Sequence, residues 1–169
     1  MSVLSIDLSL AGTGVTSENG TCTIKTKLKD EDRIFYIADQ IVELLPTDTT
    51  LLIIEGLAYG TQTGKAMERA GLWWFVKLLF YGQGVPTAIC PPTVLKKYAT
   101  GKGNSDKDTV MLEVAKRYGD IFKITNNNEA DSVAMYAMAM DYLETPLVLV
   151  PKSYREALDK VQWPEGLNK

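Results

Sequence analysis

Asp7, Glu55 and Asp131 are the side chains whose type and setting could do chemistry. Asp7 follows Ser5-Ile6 at the end of an apolar run, and Glu55 follows Leu52-Ile53-Ile54 at the end of another. Asp131 falls in the first turn of a helical pattern, among Ala130, Val133 and Ala134. A carboxylate at the carboxyl end of a buried strand faces the crevice where α/β sheets bind ligands. Two such ends on neighbouring strands bring like charges together, and a divalent cation relieves the repulsion. Magnesium takes hard oxygen ligands, a few carboxylates plus phosphate oxygens. Two such ions about 3.5–4 Å apart can drive phosphodiester cleavage. Singly, each acid has a plainer role: a loop cap for Asp7, a strand-end ion pair for Glu55, a first-turn acid answering the helix dipole for Asp131. Three in one topology, placed so that two strand ends and one helix start can converge, favour the chemistry.

Other chemistries drop out on composition. The 169 residues include no histidine, which excludes Ser-His and Cys-His nucleophiles and histidine zinc sites. Two cysteines, Cys22 and Cys90, are too few for a disulfide framework and suit a reducing compartment. The longest apolar run, Ala70 to Tyr81, is too short to span a bilayer and contains Lys77. The first residues lack the basic start of a signal peptide. The expectation is a cytoplasmic protein with no membrane partner.

The net charge of −3 hides an asymmetry. Residues 1–60 carry 4 basic and 9 acidic groups, whereas residues 96–123 carry 7 basic (Lys96, Lys97, Lys102, Lys107, Lys116, Arg117, Lys123) and 4 acidic. That stretch is the candidate nucleic-acid face, although charge alone favours a solvated helix surface. Gly101 to Gly103 lacks the spacing of a nucleotide-binding phosphate loop.

The elements that must position these groups follow from pattern. Val3–Leu8, Gly14–Ser17 and Thr21–Lys27 predict three antiparallel strands, the last two joined at Asn19-Gly20. Ile34, Ile37, Ala38, Ile41, Leu44 and Leu45 recur at helical spacing from Asp30 until Pro46. Leu51–Glu55 predicts a strand buried on both faces. A helix from Thr63 to Tyr81 follows, apolar nearly all round in its second half. Such a helix is either central to the core or covered by a second protein surface, as in a dimer. Val85–Cys90 predicts a fifth strand. Helices are expected from Pro91-Pro92 to about Ala99, from Ser105 or Asp106 to Tyr118, and from Glu129 to Leu143. The sum is a three-layer α/β domain over residues 1–145, with a mixed five-stranded sheet between helices on both faces. A tail over 146–169 carries a short helix near Tyr154–Lys160.

Ser5-Ile6-Asp7-Leu8-Ser9, then Ile53-Ile54-Glu55-Gly56, then Glu129-Ala130-Asp131-Ser132-Val133-Ala134 together resemble the RuvC family of Holliday-junction resolvases, among the RNase H-like nucleases. Between them, Lys65-Ala66-Met67-Glu68-Arg69-Ala70-Gly71 resembles the start of that family's dimer helix. Pro91-Pro92-Thr93-Val94-Leu95-Lys96-Lys97 with Gly101-Lys102-Gly103-Asn104-Ser105-Asp106-Lys107 resembles its basic DNA-binding segment. The resemblance covers residues 3–143, and its divergence suggests a phage-type or other remote member.

The resemblance implies an RNase H-like fold and a homodimer that binds four-way DNA junctions and nicks two strands symmetrically. It implies Asp7, Glu55 and Asp131 as ligands of two Mg2+ ions, for which Mn2+ can substitute. It places Lys107 beside them at the scissile phosphate, and Lys96, Lys97 and Lys102 on the DNA. It puts Tyr59 at the junction as a stacking residue, with Leu57 or Ala58 as alternatives. One position departs: the family has Asp or His three residues before the last aspartate, and this chain has Asn128. Asn128 and Glu129 are alternatives for the fourth ligand, though Glu129 lies about 200° around a helix from Asp131. Competing readings are a catalytically weak or inactive junction binder and a flap or branch nuclease of broader range. An ATP-binding domain of the actin and sugar-kinase type, suggested by Asp7–Gly14, needs two lobes where this chain has one.

Overall fold

The computed structural model describes residues 2–57 and 65–167. Five strands form one sheet: β1 (Ser2–Asp7), β2 (Thr13–Ser17), β3 (Gly20–Ile24), β4 (Thr49–Glu55) and β5 (Thr87–Cys90), in the order β3-β2-β1-β4-β5. β1, β2 and β3 pair antiparallel, while β4 and β5 add in parallel to β1. This is the mixed five-stranded sheet expected. β3 stops at Ile24, three residues short of the predicted end. β5 starts at Thr87, after Pro86, which has no N–H to give a ladder.

Side-chain alternation builds the layers. Leu4, Ile6, Leu52 and Ile54 point to one face, under α1 (Asp30–Glu43) and α2 (Ala66–Gly82). Val3, Leu51 and Ile53 point to the other, under α3 (Pro92–Thr100), α4 (Lys107–Tyr118) and α5 (Asn127–Tyr142). The odd-numbered parity carries Ser5, Asp7 and Glu55 to the α5 face as well. Ile6 is registered with Ile54, so the next positions along these parallel strands, Asp7 and Glu55, are neighbours at the carboxyl end of the sheet.

α5 is the core helix. Residues from Ala130 to Ala139 other than Asp131 are buried. Its far side is covered by α4 and by the C-terminal stretch. That stretch contains α6 (Lys152–Arg155) and a 3-10 turn over Glu156–Lys160. Ala157, Leu158 and Val161 are buried in the α5-side core, and Gln162 exchanges backbone hydrogen bonds with Ile89 at the sheet's edge.

α2 is different. Leu72, Trp73, Val76 and Phe80 are buried, but Met67, Trp74, Leu78 and Tyr81 form an exposed apolar stripe. Exposed Phe35 of α1 lies beside it, edge-on to Phe75 at 5.2 Å between ring centres. α2 is therefore not a central core helix. Among the described residues, no helix is long and apolar enough to cross a membrane.

Candidate active site

Asp7, Glu55 and Asp131 line one cavity of about 640 Å³. Two of them arrive there by strand register. The third is delivered by the start of α5, which is pinned to the sheet by hydroxyls. Ser5 donates to the Ser132 carbonyl at 2.8 Å, and the hydroxyls of Thr16 and Ser132 lie 2.7 Å apart. Ser132 in turn donates to the Glu129 carbonyl at 3.0 Å. Satisfied buried hydroxyls of this kind fix one register for the helix, because leaving any of them unpaired is costly. On the other wall, the Trp73 indole N–H donates to the Glu55 carbonyl at 2.9 Å and ties α2 to the end of β4.

The electrostatics are those of crowded anions. Asp7 is held well above the usual carboxylate range, first by burial, then by the charges of Glu55 and Asp131. Burial and Asp131 push Glu55 up to about 7, while a hydrogen bond with Asp7 and the charge of Lys107 oppose the rise. Burial raises Asp131 to about 6 against the pull of Lys107 and Lys96. Without a cation, burial and crowding therefore favour the protonated forms of the pair at the strand ends.

Lys107 at the start of α4 and Lys96 on α3 both line the cavity. Lys97 does not; it turns to the C-terminal stretch, 3.8 Å from Glu156. Lys102 is exposed in the loop after α3, outside the cavity lining. Tyr59 and Ala58 lie outside the described residues, whereas Leu57 lines the cavity.

The two alternatives for a fourth ligand are placed apart. α5 begins at Asn127, two residues before the predicted start, with Asn126 as its cap. Asn128 and Asp131 are then three apart on one helical face, and both line the cavity. Glu129 is not among the lining residues. Its carboxylate accepts from the Thr125 N–H (2.7 Å), the Thr125 hydroxyl (2.8 Å) and the Thr23 hydroxyl (3.0 Å). Burial works to raise its pKa, but these hydrogen bonds outweigh burial and lower it. Together with the Asn126 cap, which accepts from the Glu129 N–H at 3.1 Å, this is a reciprocal helix-start motif.

Arg69 and Trp73 also line the cavity, although neither stands out in the sequence as a site residue. Arg69 lines the cavity from α2, opposite in origin to Lys96 and Lys107. Its signal in the sequence was only the dimer-helix pattern, whose residues were read as an interface.

The donor set suits a hard divalent cation: oxygen ligands, excess buried negative charge, and protons where a cation would relieve the repulsion. Among the described residues, no three acidic side chains already converge tightly enough to enclose an ion. Asp7 and Glu55 touch, and Asp131 shares the cavity. A cation bound by so few side chains keeps room for water and phosphate oxygens, as magnesium does at phosphoryl-transfer sites.

Sheet order, parity and the three covering helices define an RNase H-like fold, of the RuvC-like kind. Several solved structures carry that likeness. One, T. thermophilus RuvC in complex with Holliday junction substrate, superposes with a TM-score of 0.64 at 18% identity, covering 86% of this chain and 97% of that one. A second, Thermus thermophilus RuvC, gives 0.65 at 20% identity, covering 86% and 98%. No family model matches the sequence, and no curated protein does.

Proposed function

We propose that this chain is a metal-dependent endonuclease that resolves four-way junctions or other branched DNA. One observation carries the reading: three carboxylates from the ends of β1 and β4 and the start of α5 line a single cavity with Lys96, Lys107 and Arg69. Carboxylates gather cations, and the flanking basic groups attract a phosphate backbone. The fold likeness to a protein solved with a Holliday junction supports the substrate class.

Asp7, Glu55 and Asp131 would hold Mg2+, or Mn2+ in its place, with Asn128 offering an amide oxygen. When bound, the cation supplies Lewis acidity to the phosphate and to the attacking water. The chain does the rest. Lys107 and Lys96 bring positive charge to the phosphate from one wall, and Arg69 from another. Trp73 keeps the end of β4, and with it Glu55, from drifting. The apolar stripe on α2, with Phe35, is the surface on which we place a second copy. Two copies give two cavities, as paired nicks require.

The test is a labelled four-way junction against linear duplex, flap DNA and an RNA–DNA hybrid, with Mg2+ or Mn2+. Paired symmetric nicks that vanish in Asp7→Asn are the expected result. Asn128 favours one second reading, a junction binder with weak or no cleavage, because a neutral amide stands where a further carboxylate would tighten the cation. Tight binding without cuts in either metal would select it.

A further inference from the structure

Asp141 lies on the last turn of α5, and its side chain is 1% exposed. Two other elements close on it. The Tyr98 hydroxyl of α3 donates to Oδ2 at 3.0 Å. Arg155 of α6 donates from Nε to the same oxygen at 3.1 Å and sets a terminal guanidinium nitrogen 2.9 Å from Oδ1. The planar fork of arginine suits such a two-point grip.

The joint matters because of what its helices carry. α3 brings Lys96 to the cavity, and α5 brings Asn128 and Asp131. Asp141 is thus the place where these two walls are bolted together, at the end of α5 remote from the cavity. Further ties run between the same segments. Gly101 ends α3 with φ 82°, and a Cβ there would come within 2.6 Å of the Tyr154 ring. Arg117 of α4 lies against the rings of both Tyr118 and Tyr154, and donates to the carbonyl of Ala99 at 3.1 Å. The Lys97–Glu156 pair is partly exposed and adds little.

A carboxylate this buried needs its cation. Removing the guanidinium leaves a charge without its partner, and the structure relaxes by letting water in or by swinging the side chain out. Either response loosens Tyr98, and with it α3. We propose that Arg155 is a positioning residue for the cavity: through Asp141 and Tyr98 it holds α3 against α5 and so sets Lys96 relative to Asp131. This rests on the reading of the cavity as a DNA-cleaving site. It gives the C-terminal segment a role in that site although none of its described residues lines the cavity.

The test compares Arg155→Ala and Arg155→Lys, each with Lys96 intact and with Lys96→Ala. Hydrogen exchange of the α3 amides and the junction cleavage rate are measured together, well below the melting temperature. Expected are faster exchange in α3 with β4 and α1 unchanged, and a cleavage loss of up to roughly a hundredfold, the cost of a misplacement of about 1 Å. In the Lys96→Ala background the same substitution should cost little more, since both changes act through one residue. Arg155→Lys should recover part of the rate. Unchanged exchange in α3 overturns the proposal, as does an equal loss in both backgrounds, or full activity despite faster exchange. Should Arg155→Ala not fold, Arg155→Gln, which keeps a donor without charge, carries the same comparison. Where the wild type binds without cutting, Kd replaces the rate. A wild type that neither binds nor cuts branched DNA ends the reading of the cavity itself. An active wild type with an equally active Arg155→Ala ends this inference alone.

Discussion

Gly14 is the cross-strand partner of Asp7, and a Cβ built on Gly14 would collide with the backbone carbonyl of Asn128. One missing methyl group therefore lets the start of α5 settle on β2 beside the end of β1. The same closeness sets how far Asp131 stands from Asp7. Gly14→Ala must push α5 away, since the obstacle is backbone and cannot rotate aside. Overpacking of this sort costs about 1–3 kcal/mol. We expect a lower Tm and a cleavage loss larger than the stability change explains. Gly82→Ala, where nothing lies within 4 Å of the added carbon, should leave cleavage unchanged and hold or raise the Tm. A fully active Gly14→Ala would show that α5 placement does not set the site.

Asp7→Asn separates catalysis from folding. The buried Asp7 carboxyl is crowded by Glu55 and Asp131, so removing its charge relieves repulsion. In chelator at pH 8 the variant should melt higher than wild type, by about 3 °C for each kcal/mol relieved. Mg2+ should raise the wild-type Tm, because a ligand of the native state stabilises by mass action. It should raise the variant far less. Cleavage should be lost and junction binding kept. Equal Mg2+ shifts in both proteins would remove Asp7 from the metal site.

The metal-free chain should lose stability as pH rises toward neutrality. Folding lifts Glu55 from an ordinary 4.5 to about 7 and Asp131 from 3.8 to about 6. Between those limits the folded chain binds more protons than the unfolded one, so unfolding free energy falls with pH. The contribution is complete below about pH 4 and gone above about pH 7. Glu129 and Asp106, both lowered, act in the opposite sense and at lower pH. Denaturant melts in chelator from pH 5 to 8 should slope downward, and Mg2+ should flatten the slope by displacing the protons. A flat metal-free profile would contradict the crowding of these carboxylates.

Lys107 lowers the pKa of all three carboxylates through its charge. Lys107→Ala therefore raises them further, and cation binding must then displace more tightly held protons. The pH of half-maximal cleavage should move upward. If Lys107 also meets a phosphate, the slope of log affinity against log salt should shrink by about 1. A pH shift without a slope change would assign Lys107 to the carboxylates alone. Neither change would place it outside the site.

The sheet and the acidic trio were legible because both follow from local pattern. Apolar runs ending in Asp7 and Glu55 state their own parity, and Asn19-Gly20 states its own turn. What resisted was set by distant partners. Nothing near Asp141 in sequence says that Tyr98 and Arg155 will close on it, and nothing near Trp163 says that it will stack on Tyr142 at 3.8 Å. The tail consequently read as an appendage, whereas it covers α5. Arg69 was read as interface because a helix pattern gives its faces and not which face meets a cavity. Lys97 was grouped with Lys96, although adjacent helical residues diverge by about 100°. The early start of α5 was hidden in a polar stretch whose cap, Asn126, looks like any loop asparagine.

Asn128 and Glu129 make the sharpest paired test, because adjacent residues carry opposite expectations. Both Glu129 carboxylate oxygens are taken up by Thr23 and Thr125, so Glu129→Gln should weaken the helix start, by about 1 kcal/mol as lost caps do. Its Mg2+ dependence should not move. Asn128 lines the cavity on the helical face of Asp131 and lacks only charge. Asn128→Asp adds a fourth carboxylate there. Without metal this intensifies the repulsion and lowers the Tm at pH 8. With metal it should tighten the cation, shifting the Mg2+ concentration for half-maximal cleavage downward several-fold. Titrating Mg2+ against cleavage in the two variants decides the matter. If Glu129→Gln moves the midpoint and Asn128→Asp does not, the cation sits on the β3 side of α5, and the cavity has been assigned to the wrong face.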